Sequence, residues 1–110
     1  MRDLAGKTAF VTGGASGIGL AMGRAFAKAG MRVMLADIEA KPLEQAIEAF
    51  QGNLPEVRGV LCDVRDYAEV ERAAHMTVEA FGKVHVVCNN AGVSVVAYRK
   101  LGPAPQEIMG

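Results

Sequence analysis

The sequence has 110 residues, 51% of them apolar, and its twelve Lys plus Arg balance twelve Asp plus Glu. That length supports one small core and no second domain, and the zero net charge gives no single-sign field to attract nucleic acid or an anionic membrane surface. The stretch Met1 to Lys7 holds no apolar leader and no run approaches the roughly 18 apolar residues of a spanning helix, so a soluble, cytoplasmic protein is expected.

Thr8-Ala9-Phe10-Val11 is a short apolar run that opens into a Gly-rich turn, the pattern of a strand buried on both faces. From Ile18 the residues Met22, Ala25, Phe26 and Ala29 recur at helical spacing, and Gly30 stands where a left-handed C-cap belongs. Val33 to Ala36 reads as a second strand ending in Asp37. Leu43, Ala46, Ile47 and Phe50 then trace a second helix, with Pro42 suited to its first turn. Val57 to Cys62 reads as a third strand. Val70, Ala73, Ala74, Val78 and Phe81 line a third helix before Gly82, and Val84 to Cys88 is a fourth strand. After Asn89 the periodicity stops, and residues 93–110, including Gly102-Pro103-Ala104-Pro105, are expected to be mainly loop.

Strands that alternate with helices require right-handed crossovers and a parallel sheet covered on both faces. The expected fold is therefore α/β, a partial doubly wound, Rossmann-type sheet in the order 3-2-1-4, forming one domain over residues 1–110. In that order Cys62 and Cys88 lie roughly 14 Å apart, too far for a disulfide, so both are expected as free thiols. It also leaves the apolar fourth strand as an unpaired edge, which predicts association or poor solubility for these 110 residues alone.

The turn Thr12-Gly13-Gly14-Ala15-Ser16-Gly17-Ile18-Gly19 falls between the first strand and the first helix, where backbone N–H groups and a helix N-terminus face an anion. Glycines let the turn take positive φ, let a pyrophosphate approach the main chain and let the helix pack close to the sheet. The spacing is Gly-x-x-x-Gly-x-Gly, neither the G-x-G-x-x-G of many dehydrogenases nor a nucleoside-triphosphate loop. A tight turn that holds no ligand is the competing reading. Asp37, at the carboxyl end of the second strand, can accept from both hydroxyls of an adenosine ribose and would repel a 2′-phosphate. The next residues are Ile38 and Glu39, with no Arg, so NAD is favoured over NADP. Taken alone, Asp37 also fits a solvated aspartate capping the next turn.

The Gly turn, Asp37, the pair Asp63-Val64 and the run Asn89-Asn90-Ala91-Gly92 together resemble the short-chain dehydrogenase/reductase family in order and spacing over residues 5 to about 93. The resemblance implies an NAD(P)-dependent oxidoreductase. In it the turn, with Gly13, Ser16, Gly17, Ile18 and Gly19, holds the pyrophosphate and adjoining ribose, and Asp37 binds the adenosine ribose. It further implies that Asp63 meets the adenine amino group, that the Val64 backbone meets the ring, and that Asn90, Ala91 and Gly92 run beside the cofactor. Asn90 would also brace the sheet, and a homo-oligomer is expected. His85 stands where the family usually has an aspartate. A lone histidine at a strand start reads as a structural group, and neither His85 nor His75 is expected to be catalytic.

The family's chemistry uses a tyrosine with a lysine four residues later, because a neighbouring ammonium brings the phenol closer to working pH. Here Tyr67 has Glu71 at that spacing and Tyr98 has Gly102, and Lys100 follows Tyr98 by only two residues. Ser94 follows the Asn-Asn-Ala-Gly turn, whereas the family's catalytic serine lies on a later strand. No catalytic residue and no metal ligand is therefore assigned, and the chain reads as a cofactor-binding segment truncated on its C-terminal side. A catalytically inert dinucleotide-binding or interaction module is the rival from another class, since it needs no Tyr-x-x-x-Lys. An S-adenosylmethionine-dependent transferase leaves Asn89 to Gly92 unexplained.

Overall fold

The computed structural model describes residues 4–15, 17–50, 56–89 and 92–99. In chain order the elements are β1 (Thr8–Thr12), α1 (Gly17–Lys28), β2 (Arg32–Asp37), α2 (Ala40–Glu48), β3 (Val57–Leu61), α3 (Tyr67–Phe81), β4 (Lys83–Asn89) and β5 (Gly92–Arg99). The sheet order is β3-β2-β1-β4-β5. The first four strands run parallel, as the alternating pattern predicts, and β5 runs antiparallel to β4.

Side chains alternate across a strand, so a strand buried on both faces feeds two cores. Ala9 and Val11 of β1 join Val33 and Leu35 of β2 beneath α1 and α2, with Ala27, Leu43 and Ala46 from the helices. Phe10, Met34 and Ala36 face the other way and pack with Val60, Ala73, Val78 and Phe81 beneath α3. Each of these side chains contributes about 25 cal/mol for every Å² of apolar surface it withdraws from water. Asp66 caps α3 by accepting from the Ala68 N–H at 3.0 Å, and Gly82 ends that helix at φ 90°. Cys62 and Cys88 are buried free thiols, as the strand order requires. Among the described residues no helix is long and apolar enough to cross a membrane.

Two expectations are corrected. Residues 92–99 form β5 rather than loop, paired from Asn89↔Gly92 to Lys83↔Arg99, so β4 is not the edge of the sheet. The unpaired N–H and C=O groups of β4 offer a template, and Val93, Val95, Val96 and Tyr98 are residues that favour extended backbone. The buried face of α1 is also not the one that large apolar residues suggested. Its innermost residues are Gly19, Gly23 and Ala27, with Met22 and Phe26 flanking them, whereas Ile18, Ala25 and Ala29 are exposed. A helix that must lie close to a sheet presents its smallest side chains, and a hydrophobicity pattern gives glycine no weight.

Candidate cofactor site

Parallel β1, β2, β3 and β4 end along one edge of the sheet. There Thr12 is in register with Ala36, Asp37 with Leu61, and Val11 with Cys88. The Gly turn crosses this edge. Gly14 N–H donates to the Ala36 carbonyl at 3.0 Å, and Ala15 N–H donates to Asp37 Oδ2 at 3.0 Å, so the turn is tied to the end of β2 at two successive residues. Gly13 and Gly17 have φ of 64° and 58°, the left-handed region that side chains resist. Gly19 lies directly against Gly13: a Cβ there would overlap the Gly13 carbonyl oxygen and approach its carbon to 2.7 Å. No acidic residue stands in the first turn of α1, so its positive end is open to a negatively charged ligand.

Asp37 serves both sides of this edge. Its Oδ2 accepts from Ala15, and its Oδ1 accepts from the Glu39 N–H at 3.2 Å. An ionised carboxylate has about four acceptor positions, so two remain for a ligand. One strand over, the Cys62 N–H donates to the Asp37 carbonyl at 2.9 Å, which places Asp63 and Val64 just beyond the same edge. Asp63 accepts from Arg65 through both oxygens, at 3.0 Å each, and these hydrogen bonds hold its carboxyl below the usual carboxylate range. Thr12 Oγ1 donates to the Cys88 carbonyl at 3.4 Å, joining the start of the Gly turn to the end of β4.

Large apolar side chains are exposed along this edge: Ile18 is 78% exposed, Val64 55% and Ile38 54%. An exposed cluster of such residues carries information that a single one does not. Ile38 enters the sequence argument only as a residue that is not an arginine, and its exposed side chain directly after the strand-end aspartate is a further apolar surface at this edge. Arg65 was passed over, and only its contacts with Asp63 mark it out.

The structure thus brings Gly13, Gly17, Ile18, Gly19, Asp37, Asp63 and Val64 to one edge, and Gly92 begins β5 opposite Asn89. The remaining predicted site residues, Ser16, Asn90 and Ala91, lie outside the described residues. His85 is elsewhere. Its Nδ1 accepts from the Thr8 N–H at 3.0 Å at the opposite end of β1, which requires a neutral ring with its proton on Nε2. Burial, with Lys7 and Lys83 nearby, lowers its pKa and favours that form. His75 is exposed on α3.

D-threitol dehydrogenase of Mycolicibacterium smegmatis is 40% identical over 94 residues, covering 86% of this chain and 36% of its own. The apo crystal structure of LigO from a Sphingobium species matches with a TM-score of 0.76 at 40% identity, over 80% of this chain and 33% of that one. A short chain dehydrogenase/reductase from Burkholderia phymatum, solved in complex with NAD, matches with a TM-score of 0.75 at 38% identity, over 79% and 31%. The chain therefore spans about a third of the length of these relatives. The sequence pattern of the short chain dehydrogenases matches residues 7–105, and the chain belongs to that family.

Proposed function

We propose that this chain binds a nicotinamide dinucleotide through the Gly turn, Asp37 and the Asp63-Val64 pair, as part of an oxidoreductase. The observation that carries the reading is the meeting of the Gly turn and Asp37 at one sheet edge, joined by the bond from Ala15 to Oδ2. The residues present fit such a ligand. Gly13 and Gly17 hold the turn in a conformation open to a pyrophosphate, Gly19 brings the N-terminus of α1 up to it, and Asp37 keeps acceptor positions for a ribose. Ser16, Ile18, Asn90, Ala91 and Gly92 complete the proposed lining.

A bound nicotinamide supplies hydride exchange with a carbon bearing a hydroxyl or carbonyl. Within these 110 residues no tyrosine has a lysine four residues on, so cofactor binding alone is assigned to them. The substrate and the acid–base step belong to the intact protein, which we take to be a cytoplasmic homo-oligomer.

NAD is the preferred cofactor, because the Asp37 carboxylate stands where a 2′-phosphate would come and Ile38 and Glu39 offer it no cation. Titration of the intact protein with NAD and NADP should give at least about a tenfold preference for NAD. Equal or tighter binding of NADP would overturn the choice of cofactor, and failure to bind either would overturn the reading as a whole.

A further inference from the structure

Every polar atom of Asp63, in backbone and side chain, has a hydrogen-bond partner. Its N–H donates to Glu69 Oε1 at 2.9 Å, and its carbonyl accepts from the Asp66 N–H at 3.0 Å. Its Oδ1 accepts from the Arg65 N–H at 2.9 Å and from Arg65 Nε at 3.0 Å, while Oδ2 accepts from Nη2 at 3.0 Å. The bond to the backbone N–H two residues on is enough to close an aspartate turn. The guanidinium contributes something different: its planar fork meets a carboxylate along one direction and so fixes the plane of the group. Stability does not account for the pair, since the Arg65 side chain is 80% exposed and ion pairs of that kind contribute little.

Of the four or so acceptor positions of a carboxylate, Arg65 fills two on Oδ1 and one on Oδ2. One position on Oδ2 is left, at the edge where Val64 and Ile38 expose apolar surface. We propose that Arg65 is a positioning residue, which clamps Asp63 so that this last acceptor receives the exocyclic amino group of the cofactor's purine and selects adenine. The inference rests on the functional reading above. It assigns Arg65 no contact with the reacting atoms.

The test is binding of NAD and of nicotinamide hypoxanthine dinucleotide, which carries a carbonyl in place of the adenine amino group, to the intact protein. A charge-assisted hydrogen bond made by one purine and not the other should favour NAD by about tenfold. Arg65→Ala should cut that preference to about threefold or less, and Arg65→Lys, which keeps the charge without the fork, should cut it equally. The unfolding midpoint should not move, as the side chain is exposed. An unchanged preference in Arg65→Ala, or tighter NAD binding because Arg65 had been competing with the purine, overturns the inference. So does an Arg65→Lys variant that keeps the whole preference. Failure of the unsubstituted protein to bind NAD overturns the functional reading and this inference with it, whereas binding with an unaltered preference overturns this inference alone.

Discussion

Gly19→Ala tests how the Gly turn is built. The added Cβ would overlap the Gly13 carbonyl oxygen, lie 2.7 Å from its carbon and lie 3.2 Å from the Thr12 oxygen, all of them backbone atoms that no rotamer change can move. Overpacking of this kind costs about 1–3 kcal/mol, and the upper end applies where only backbone can yield. Against it stands the gain of about 0.5–1 kcal/mol from replacing a helical glycine with alanine. The expected net loss is about 2 kcal/mol. Gly23→Ala, one turn further along α1, is the control. Its nearest contact at 2.9 Å is Leu35 Cδ2, the end of a flexible side chain, so gain and cost should nearly cancel. Urea denaturation of the two variants of the intact protein should separate their midpoints, with Gly23→Ala close to the parent. Dinucleotide affinity should fall at least about tenfold in Gly19→Ala, because α1 must shift away from the turn it presents to the ligand. Equal stability and equal affinity in the two variants would refute the argument that Gly19 is chosen for close approach.

Asp37→Ala removes the acceptor for Ala15 as well as the proposed ribose contact, so NAD affinity should fall by at least about tenfold while NADP loses less, read by parallel titrations. Thr12→Val deletes the hydroxyl that donates to the Cys88 carbonyl and should cost about 1 kcal/mol of stability by chemical denaturation, with Thr12→Ser retaining most of it. The lowered pKa of His85 means that the folded chain favours the neutral ring, so unfolding takes up a proton at mildly acid pH. Its contribution is complete above the ordinary histidine value of about 6.5 and is lost as pH falls from there through the depressed folded value. His85→Gln should flatten the fall in stability across that window, and an unchanged pH profile would count against the neutral acceptor role. Cys62 and Cys88 are buried and burial raises both thiol pKa values, so a thiol reagent should label them only as fast as the protein unfolds. Rapid labelling of the folded protein would contradict their burial.

Much of the fold is legible because the strands are short, apolar and bounded by glycine or a charge. Val33 to Ala36 between Arg32 and Asp37 has no reasonable alternative as a buried strand. Alternation of these runs with helical spacing implies the parallel order, since a crossover has one hand and must hold a helix. The glycine spacing and the strand-end aspartate are legible for the same reason: each is a local demand of the backbone or of charge, met within a few residues.

What depended on tertiary structure involves partners distant in sequence. That α1 buries glycines, with Ile18 left in solvent, follows from how close the helix lies to Leu35 of the neighbouring strand, and no period in the sequence encodes that distance. The pairing of β5 with β4 arises from unsatisfied backbone groups on an edge, which exist only once the sheet has formed. Thr8 and His85 meet across 77 residues, and Thr12 reaches the Cys88 carbonyl across 76. The sequence by itself determined the α/β class, the order of the four parallel strands and that the Gly turn, Asp37 and Asp63 stand at the carboxyl edge of those strands. Only the folded chain decided which of them brace one another there, because a hydrogen bond depends on distance and direction in space, and spacing along the chain specifies neither.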